Sequence, residues 1–313
     1  MSKFYIVFLG KRGGASILVL DSLQKRQTEL QESSLILSQH FINDAISKFR
    51  VNRFNVRTPQ RISVVQFFSY FKDLKSLLNS LDSSLDGSTA YFVQSSPWDL
   101  LLKFLMKNSG VHIISGIHEV RHHRGDKWPT WLSTKIDILL SNELVFWSQY
   151  VSEKVRTSKK RVVEKLPSPI TSPEKLEVNG EEYVLGIGRI RKYKGFKNLA
   201  SAFKSDILKN EKLMIAGEGK LNFIASGNIS VINRWLSDDE VIQILGKSKL
   251  VVFPYQEASQ SGIVPIAIHL KKTILYANVG GLSEQLENYD KAFVINSLEP
   301  RLLAIQIGSL VTQ

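Results

Sequence analysis

A short apolar run, Phe4 to Leu9, leads into Gly10-Lys11-Arg12-Gly13-Gly14 and then into Ala15 to Leu23, whose apolar spacing suits a helix. Strand, glycine turn and helix in that order make half of a parallel crossover. A chain that repeats the unit is committed to a parallel sheet with helices on its faces. Further strands are expected at 34–37, 61–65, 90–94, 112–117 and 144–147, with helices at 71–81 and 98–107. Between Ser158 and Pro173 the texture changes to Lys159-Lys160-Arg161 and then to Pro167, Pro169 and Pro173, which marks a linker. A second alternating series follows, with strands near 183–186, 212–216, 230–233, 250–253, 273–276 and 292–295 and helices at 196–204, 238–247 and 301–310. The expectation is an α/β chain of two Rossmann-like domains, 1–165 and 166–313, and 313 residues suffice for two cores.

Composition narrows the function classes. The chain has no cysteine, so disulfides, thiolate nucleophiles and Cys-based metal sites are excluded. A net charge of +12 calls for an anionic partner: a phosphate-bearing small molecule, an anionic lipid surface or nucleic acid. The basic residues are scattered and carry no zinc-finger, helix-turn-helix or RNA-recognition signature, so no nucleic-acid partner is expected. No run reaches the roughly 18 apolar residues of a membrane span, and Met1-Ser2-Lys3-Phe4 runs straight into a strand without a signal-peptide pattern. A cytoplasmic protein is the expectation.

A diphosphate needs backbone N–H groups that approach closely and fixed positive charge, and glycine-rich strand exits provide the first. Four such exits occur in the second half. Gly186-Ile187-Gly188-Arg189 is followed by Arg191, Lys192 and Lys194-Gly195; it reads as a phosphate turn or as a solvated helix start. Ala216-Gly217-Glu218-Gly219 is a ligand edge or a plain connection. Pro254 to Ile263 includes the small-residue cluster Ala258-Ser259-Gln260-Ser261-Gly262, and Asn278-Val279-Gly280-Gly281-Leu282-Ser283-Glu284 is the fourth exit.

In this order and spacing the four exits resemble the donor domain of glycosyltransferase family 4 over residues 183–310. That resemblance implies the GT-B fold, two Rossmann-like parallel-sheet domains facing an interdomain cleft. It also implies transfer from a nucleotide-diphosphate sugar with retention of anomeric configuration, without metal or resident cofactor. By the same likeness Arg189 and Lys194 would contact the donor diphosphate, with Gly188 at the turn. The Ser261-Gly262-Ile263-Val264 backbone would cradle the distal phosphate, and residues near Gly217 and Trp235 would flank the nucleoside. Many members carry two glutamates eight positions apart around this loop. Here the first falls at Ser259, beside Gln260, and the second at Ile266 or Ala267, so neither is present. Glu257 would substitute for the first or lie in solvent. Glu284 would bind the ribose or cap the following helix.

The first half offers fewer signals. Gly13-Gly14 is similar to the family turn that admits the donor phosphates, and it also serves as an ordinary tight turn. Four of the six histidines lie between His112 and His123. Their spacing is neither His-Glu-x-x-His nor a carboxylate triad, so no metal site is expected. The pair His118-Glu119, followed by His122 and Arg124, is similar to a motif of polysaccharide-assembling members. It would put His118 at the transferred sugar and Glu119, His122 and Arg124 at the acceptor. The alternative is a satisfied histidine at a strand end. Tyr91 to Trp98 and Phe146-Trp147-Ser148 would line the acceptor side or pack in the core.

The resemblance further implies a glycan or lipid-linked oligosaccharide acceptor in cell-surface polysaccharide synthesis. Residues 156–161 and Phe67-Phe68-Ser69-Tyr70-Phe71 would suit peripheral contact with anionic lipid at the inner face of the cell membrane. A catalytically silent nucleotide-sugar-binding partner of another transferase and an inverting GT-B enzyme remain the other readings.

Overall fold

The computed structural model describes residues 3–10, 15–28, 33–41, 46, 49–59, 63–81, 85–94, 96–120, 130–167, 182–225 and 227–312. Over these residues the chain divides into two compact units, the first ending at Pro167 and the second comprising 182–312. The first unit contains, in chain order, β1 (Phe4–Phe8), α1 (Ala15–Thr28), β2 (Ser33–Ser38), β3 (Asn52–Val56), α2 (Val64–Ser80), β4 (Thr89–Phe92), α3 (Asp99–Asn108), β5 (His112–Ile117), α4 (Thr130–Leu140), β6 (Glu143–Phe146), α5 (Gln149–Glu153) and β7 (Lys160–Val163). Its seven strands form one sheet in the order β3-β2-β1-β4-β5-β6-β7, and every pair is parallel. Alternate residues of β1 supply the two faces. Tyr5 and Val7 pack with Tyr70, Leu74 and Leu102 of α2 and α3, while Ile6 and Phe8 pack with Leu18 and Leu23 of α1.

The second unit contains β8 (Tyr183–Ile187), α6 (Phe196–Ala202), β9 (Leu213–Ala216), β10 (Ile229–Ile232), α7 (Asp238–Lys247), β11 (Ser248–Phe253), α8 (Ile263–His269), β12 (Ile274–Tyr276), α9 (Gly281–Leu286), β13 (Ala292–Val294) and α10 (Pro300–Val311). Six parallel strands run in the order β10-β9-β8-β11-β12-β13. In both sheets the order turns back on itself beside the first strand, the arrangement of doubly wound α/β units.

The structure corrects the expected elements at the edges of the first sheet. The described part of the strand expected at 61–65 is helix instead: Ser63 caps α2 by accepting from the Gln66 N–H at 3.2 Å, and Val64 and Val65 stand exposed in its first turn. The third strand is β3, Asn-Arg-Phe-Asn-Val, whose edge position leaves it mostly in solvent and removes the apolar signal. For the same reason Lys160 and Arg161, expected in a linker, form the opposite edge strand β7.

A buried charge cluster joins α3, α4 and β5. Lys103 is ion-paired with Asp137 and lies over the Phe92 ring at 4.5 Å, and Asp137 accepts from Ser115 at 3.2 Å. Asp99, one turn before Lys103 on α3, is buried beside them, and burial pushes its carboxyl up to about 8 against the pull of Lys103.

Candidate functional site

In the second unit the strand order reverses between β8 and β11, so the connections leaving these two strands diverge beyond their carboxyl ends. Both exits are filled by residues singled out in the sequence. The chain leaves β8 at Gly188 and Arg189, Arg189 is exposed, and a 3-10 turn over Lys192–Lys194 follows. Gly195 closes that turn at φ 68°, and a Cβ there would collide with the Pro254 carbonyl. Only glycine therefore lets the Lys194 turn close against the β11 exit. The Tyr193 carbonyl accepts from the Gln256 N–H at 2.7 Å, which ties the two exits a second time.

This packing buries Lys194 to 9% exposure, with its ammonium 3.5 Å from the centroid of the Tyr255 ring. The Tyr255 hydroxyl donates to the Ile187 carbonyl at 3.4 Å and is hydrogen-bonded to the Ser261 side chain. Burial pushes this phenol well above its ordinary value, so it stays neutral and offers the cation an uncharged face. The expected phosphate cradle begins at Ser261, whose N–H donates to Gln285 Oε1 at 2.7 Å while Gln285 Nε2 donates back to the Ser261 carbonyl at 3.2 Å. That amide is thus already engaged by protein; Gly262 is exposed and Ile263 half-buried at the start of α8.

The neighbouring exits are laced to this one. Gly188 N–H donates to Ala216 at 3.0 Å, Gly217 N–H to Ile232 at 2.9 Å and Ile190 N–H to Glu218 at 2.9 Å. Gly217, at φ 144°, lies so close to the Gly188 carbonyl that a side chain would not fit. After β10, Arg234 grips Glu240 through two hydrogen bonds of 3.1 and 2.6 Å, and Ser237 and Glu240 form a capping box at the start of α7. Between them Trp235 presents its ring at 41% exposure. Glu257, Ser259 and Gln260 are half-buried in the loop after β11, and Glu284 is exposed in the first turn of α9.

In the first unit His118 follows β5. Its imidazole stacks on Trp147 with centroids 4.1 Å apart and planes 20° from parallel, and a ring N–H donates to the Val93 carbonyl. Burial lowers its pKa to about 4, with the Glu119 carboxylate opposing the shift. It is therefore a neutral hydrogen-bonding group near pH 7. The exits of β4, β5 and β6 meet here, because a Cβ on Gly116 would strike the Trp147 ring and the Val93 carbonyl. Gly13, Gly14, His122 and Arg124 lie outside the described residues.

Sequence reasoning missed Tyr255 as the platform for Lys194, Gln285 as the brace of Ser261, and Asn233, which accepts from the Gly219 N–H at 3.0 Å. Tyr255 stood inside a quoted motif, but its contact across to the β8 exit is visible only in three dimensions. Among the described residues no group of three or more His, Cys, Asp or Glu side chains is placed to hold a metal, and no helix is long and apolar enough to cross a membrane.

Two all-parallel α/β sheets, each doubly wound, define the GT-B class of fold. Residues 181–313 match the family model of group 1 glycosyl transferases, which supports a transferase. No curated protein matches the chain in sequence. Among solved structures, sucrose-phosphate synthase from Thermosynechococcus elongatus is similar with a TM-score of 0.73 and 10% identity, covering 100% of this chain and 90% of that one. The Anabaena protein HepE, in complex with UDP and glucose, is similar with a TM-score of 0.68 and 14% identity, covering 99% and 90%. A Listeria monocytogenes protein described as a UDP-N-acetylglucosamine 2-epimerase gives a TM-score of 0.68 and 11% identity, covering 99% and 88%. Identities this low show the fold alone.

Proposed function

We propose that this chain moves a sugar from a nucleotide-diphosphate sugar to a glycan or lipid-linked oligosaccharide acceptor, with retention of configuration, as in family 4 of the glycosyltransferases. The observation that carries the reading is the Lys194 ammonium, sequestered from bulk water on the Tyr255 face at the exit of β8, on the same connection as the Arg189 guanidinium. A positive charge held in place before substrate arrives stabilises charge that develops on a leaving diphosphate without reorganising at the moment of reaction.

In the proposed reaction the bond from the anomeric carbon to the diphosphate oxygen breaks and its electron pair stays with the phosphate. The acceptor hydroxyl oxygen bonds to the anomeric carbon on the same face, and its proton passes to the departing phosphate. Arg189 and Lys194 offset the phosphate charge, the loop from Ser259 to Val264 holds the distal phosphate and donor sugar, and Trp235 with the Gly217 turn flanks the nucleoside. His118, neutral near pH 7, hydrogen-bonds the transferred sugar rather than countering charge. The chain would act in the cytoplasm at the inner face of the cell membrane, in cell-surface polysaccharide synthesis, with peripheral contact to anionic lipid.

A second reading is favoured by one observation. Ser259 and Ile266 or Ala267 stand where many family members carry paired glutamates, and this suits a nucleotide-sugar-binding partner without turnover of its own. Purified protein incubated with a panel of nucleotide sugars and glycan acceptors separates the readings. Glycosylated product with the donor's anomeric configuration supports the proposal. The inverted anomer overturns retention, an epimerised donor without transfer overturns the transferase, and saturable donor binding without any product leaves the silent partner.

A further inference from the structure

At the amino ends of β8, β9 and β10, the edge of the second sheet opposite the exits that carry Gly188 and Gly217, lies an open cavity of about 600 Å³. The register explains why it is there. Met214 of β9 lies with Tyr183 and Ile244 on the face that α7 covers, and its register partner on β10 is Ser230. Partners across a parallel pair share a face. β10 is the edge strand and Ser230 is exposed, so α7 does not reach across it. Tyr183, Met214 and Ser230 thus form the floor of a recess, with the connection into β9 at Lys209 and Lys212 as one wall and the last turn of α7 at Lys247 as another.

The lysines along this edge fall into two groups. Lys249 is ion-paired with Glu211, and Lys272 donates to the carbonyls of Gly246 and Ser248 at 2.6 and 2.8 Å, so these two serve the fold. The ammonium groups of Lys209 and Lys247 face the recess and have no hydrogen-bond or ion-pair partner among the described residues, and Lys212 adds a third positive charge to the lining. The one carboxylate among the described lining residues is Glu211, which Lys249 neutralises. A concave site lined by uncompensated positive charge gathers anions.

The residue types narrow the ligand. The described lining carries lysine and no arginine. Point charges suit the tetrahedral oxygens of a phosphate, whereas a planar carboxylate favours the guanidinium fork. The volume exceeds the needs of a bare ion and falls in the range of small organic ligands. Tyr183 and Ser230 direct their hydroxyls to the carbonyls of Ile244 and Leu213, so the floor meets a ligand with carbon surface, while the exposed amides of Asn210 and Gln243 can serve its hydroxyls. We infer that this recess binds a phosphorylated sugar, its phosphate monoester at Lys209 and Lys247 and its ring on Tyr183 and Met214. The site is separate from the one proposed for the donor: β8 begins at Tyr183 in the recess and ends beside Gly188, so the two lie at opposite ends of one strand.

Calorimetric titration of the full chain with glucose 6-phosphate, inorganic phosphate and glucose tests the assignment. Saturable binding is expected for the sugar phosphate, weaker binding for inorganic phosphate and none for glucose. Lys209→Gln with Lys247→Gln should weaken binding of the sugar phosphate about tenfold or more. Ser230→Trp should fill the floor and abolish binding with no change of charge; if either variant unfolds in a thermal melt, the other decides. Lys194→Met, beyond the far end of β8, should leave this binding unchanged. Absence of binding at millimolar sugar phosphate, glucose binding as tightly as its phosphate, or binding that survives the recess variants and is lost in Lys194→Met would each overturn the site. None of these readouts uses sugar transfer, so their failure leaves the transferase reading standing, and a chain that transfers nothing can still bind the ester.

Discussion

The Lys194 ammonium rests 3.5 Å from the centre of the Tyr255 ring, so a cation from the β8 exit is seated on an aromatic from the β11 exit. The contact fixes where the charge sits and keeps water from one side of it. Replacing Lys194 by methionine keeps the stem and removes the charge, and is expected to cut turnover about a hundredfold to a thousandfold with little change in melting temperature. Replacing Tyr255 by leucine leaves the charge but loosens it. About a tenfold fall in kcat, the scale of a desolvated cation–aromatic contact, is expected there. Steady-state kinetics beside a thermal melt check both, and unaltered turnover by the Lys194 variant would remove the main support for the proposed chemistry.

Gln285 braces the loop after β11 through both ends of its amide. Gln285→Ala leaves the Ser261 N–H, in a buried residue, without its acceptor, which costs roughly 1–3 kcal/mol. Because the loop is the proposed donor site, the KM for the nucleotide sugar should rise more than kcat falls. Gly195→Ala is harsher, combining a left-handed backbone with a collision at the Pro254 carbonyl, and is expected to cost roughly 2–4 kcal/mol in chemical denaturation.

These two predictions show which parts of the fold and site were legible in the sequence. Glycine turns after apolar strands announced β1, β8 and β9, because a buried parallel strand is uniformly apolar and its exit needs glycine. β3 and β7 were hidden because edge strands meet solvent and read as polar loops. α4 was hidden because it shows no clean apolar face: Thr134 and Asp137 are buried while Leu132, Ile136 and Leu139 are exposed, and Ile138 packs against the cluster of Ile117, Leu144 and Phe146. Arg189 and Lys194 could be named from spacing, but Tyr255 and Gln285 act across distances of 61 and 24 residues that no local pattern spans.

His118 should make the fold acid-sensitive. Its folded pKa of about 4 lies below the ordinary 6.5, so between these values the unfolded chain binds the proton more readily. Its contribution is complete above about pH 6.5 and is lost as the pH falls toward 4. At full effect the gap between 6.5 and about 4 corresponds to roughly 3 kcal/mol, and the effect is smaller because the residue is only half-buried. His118→Asn should flatten the stability profile over that window. A variant whose urea midpoint still fell with the wild-type slope from pH 6.5 to 4 would show that another group titrates there.

Asp99 has the opposite sign. Its folded carboxyl, held up to about 8 chiefly by burial, keeps a proton that the unfolded chain gives up near its ordinary value of 3.8. Stability therefore declines as the pH rises from about 4 through 8. Asp99→Asn, a neutral group of the same shape, is expected to remove that decline and to be the more stable protein at pH 9. Asp137→Ala is expected to be destabilising by about 3–5 kcal/mol at pH 6, where Asp99 keeps its proton and the Lys103 ammonium is left without a carboxylate partner in a site closed to water, and by less at pH 9, where the Asp99 carboxylate faces it. Urea titrations of both variants at pH 6 and pH 9 distinguish the two effects. The cluster also touches Phe92 and Ser115, on the strands that lead to Val93 and His118. If it anchors those strands, Asp137→Ala should in addition raise the pKa of the His118 ring by letting water reach it, a shift that NMR titration of the imidazole would read directly.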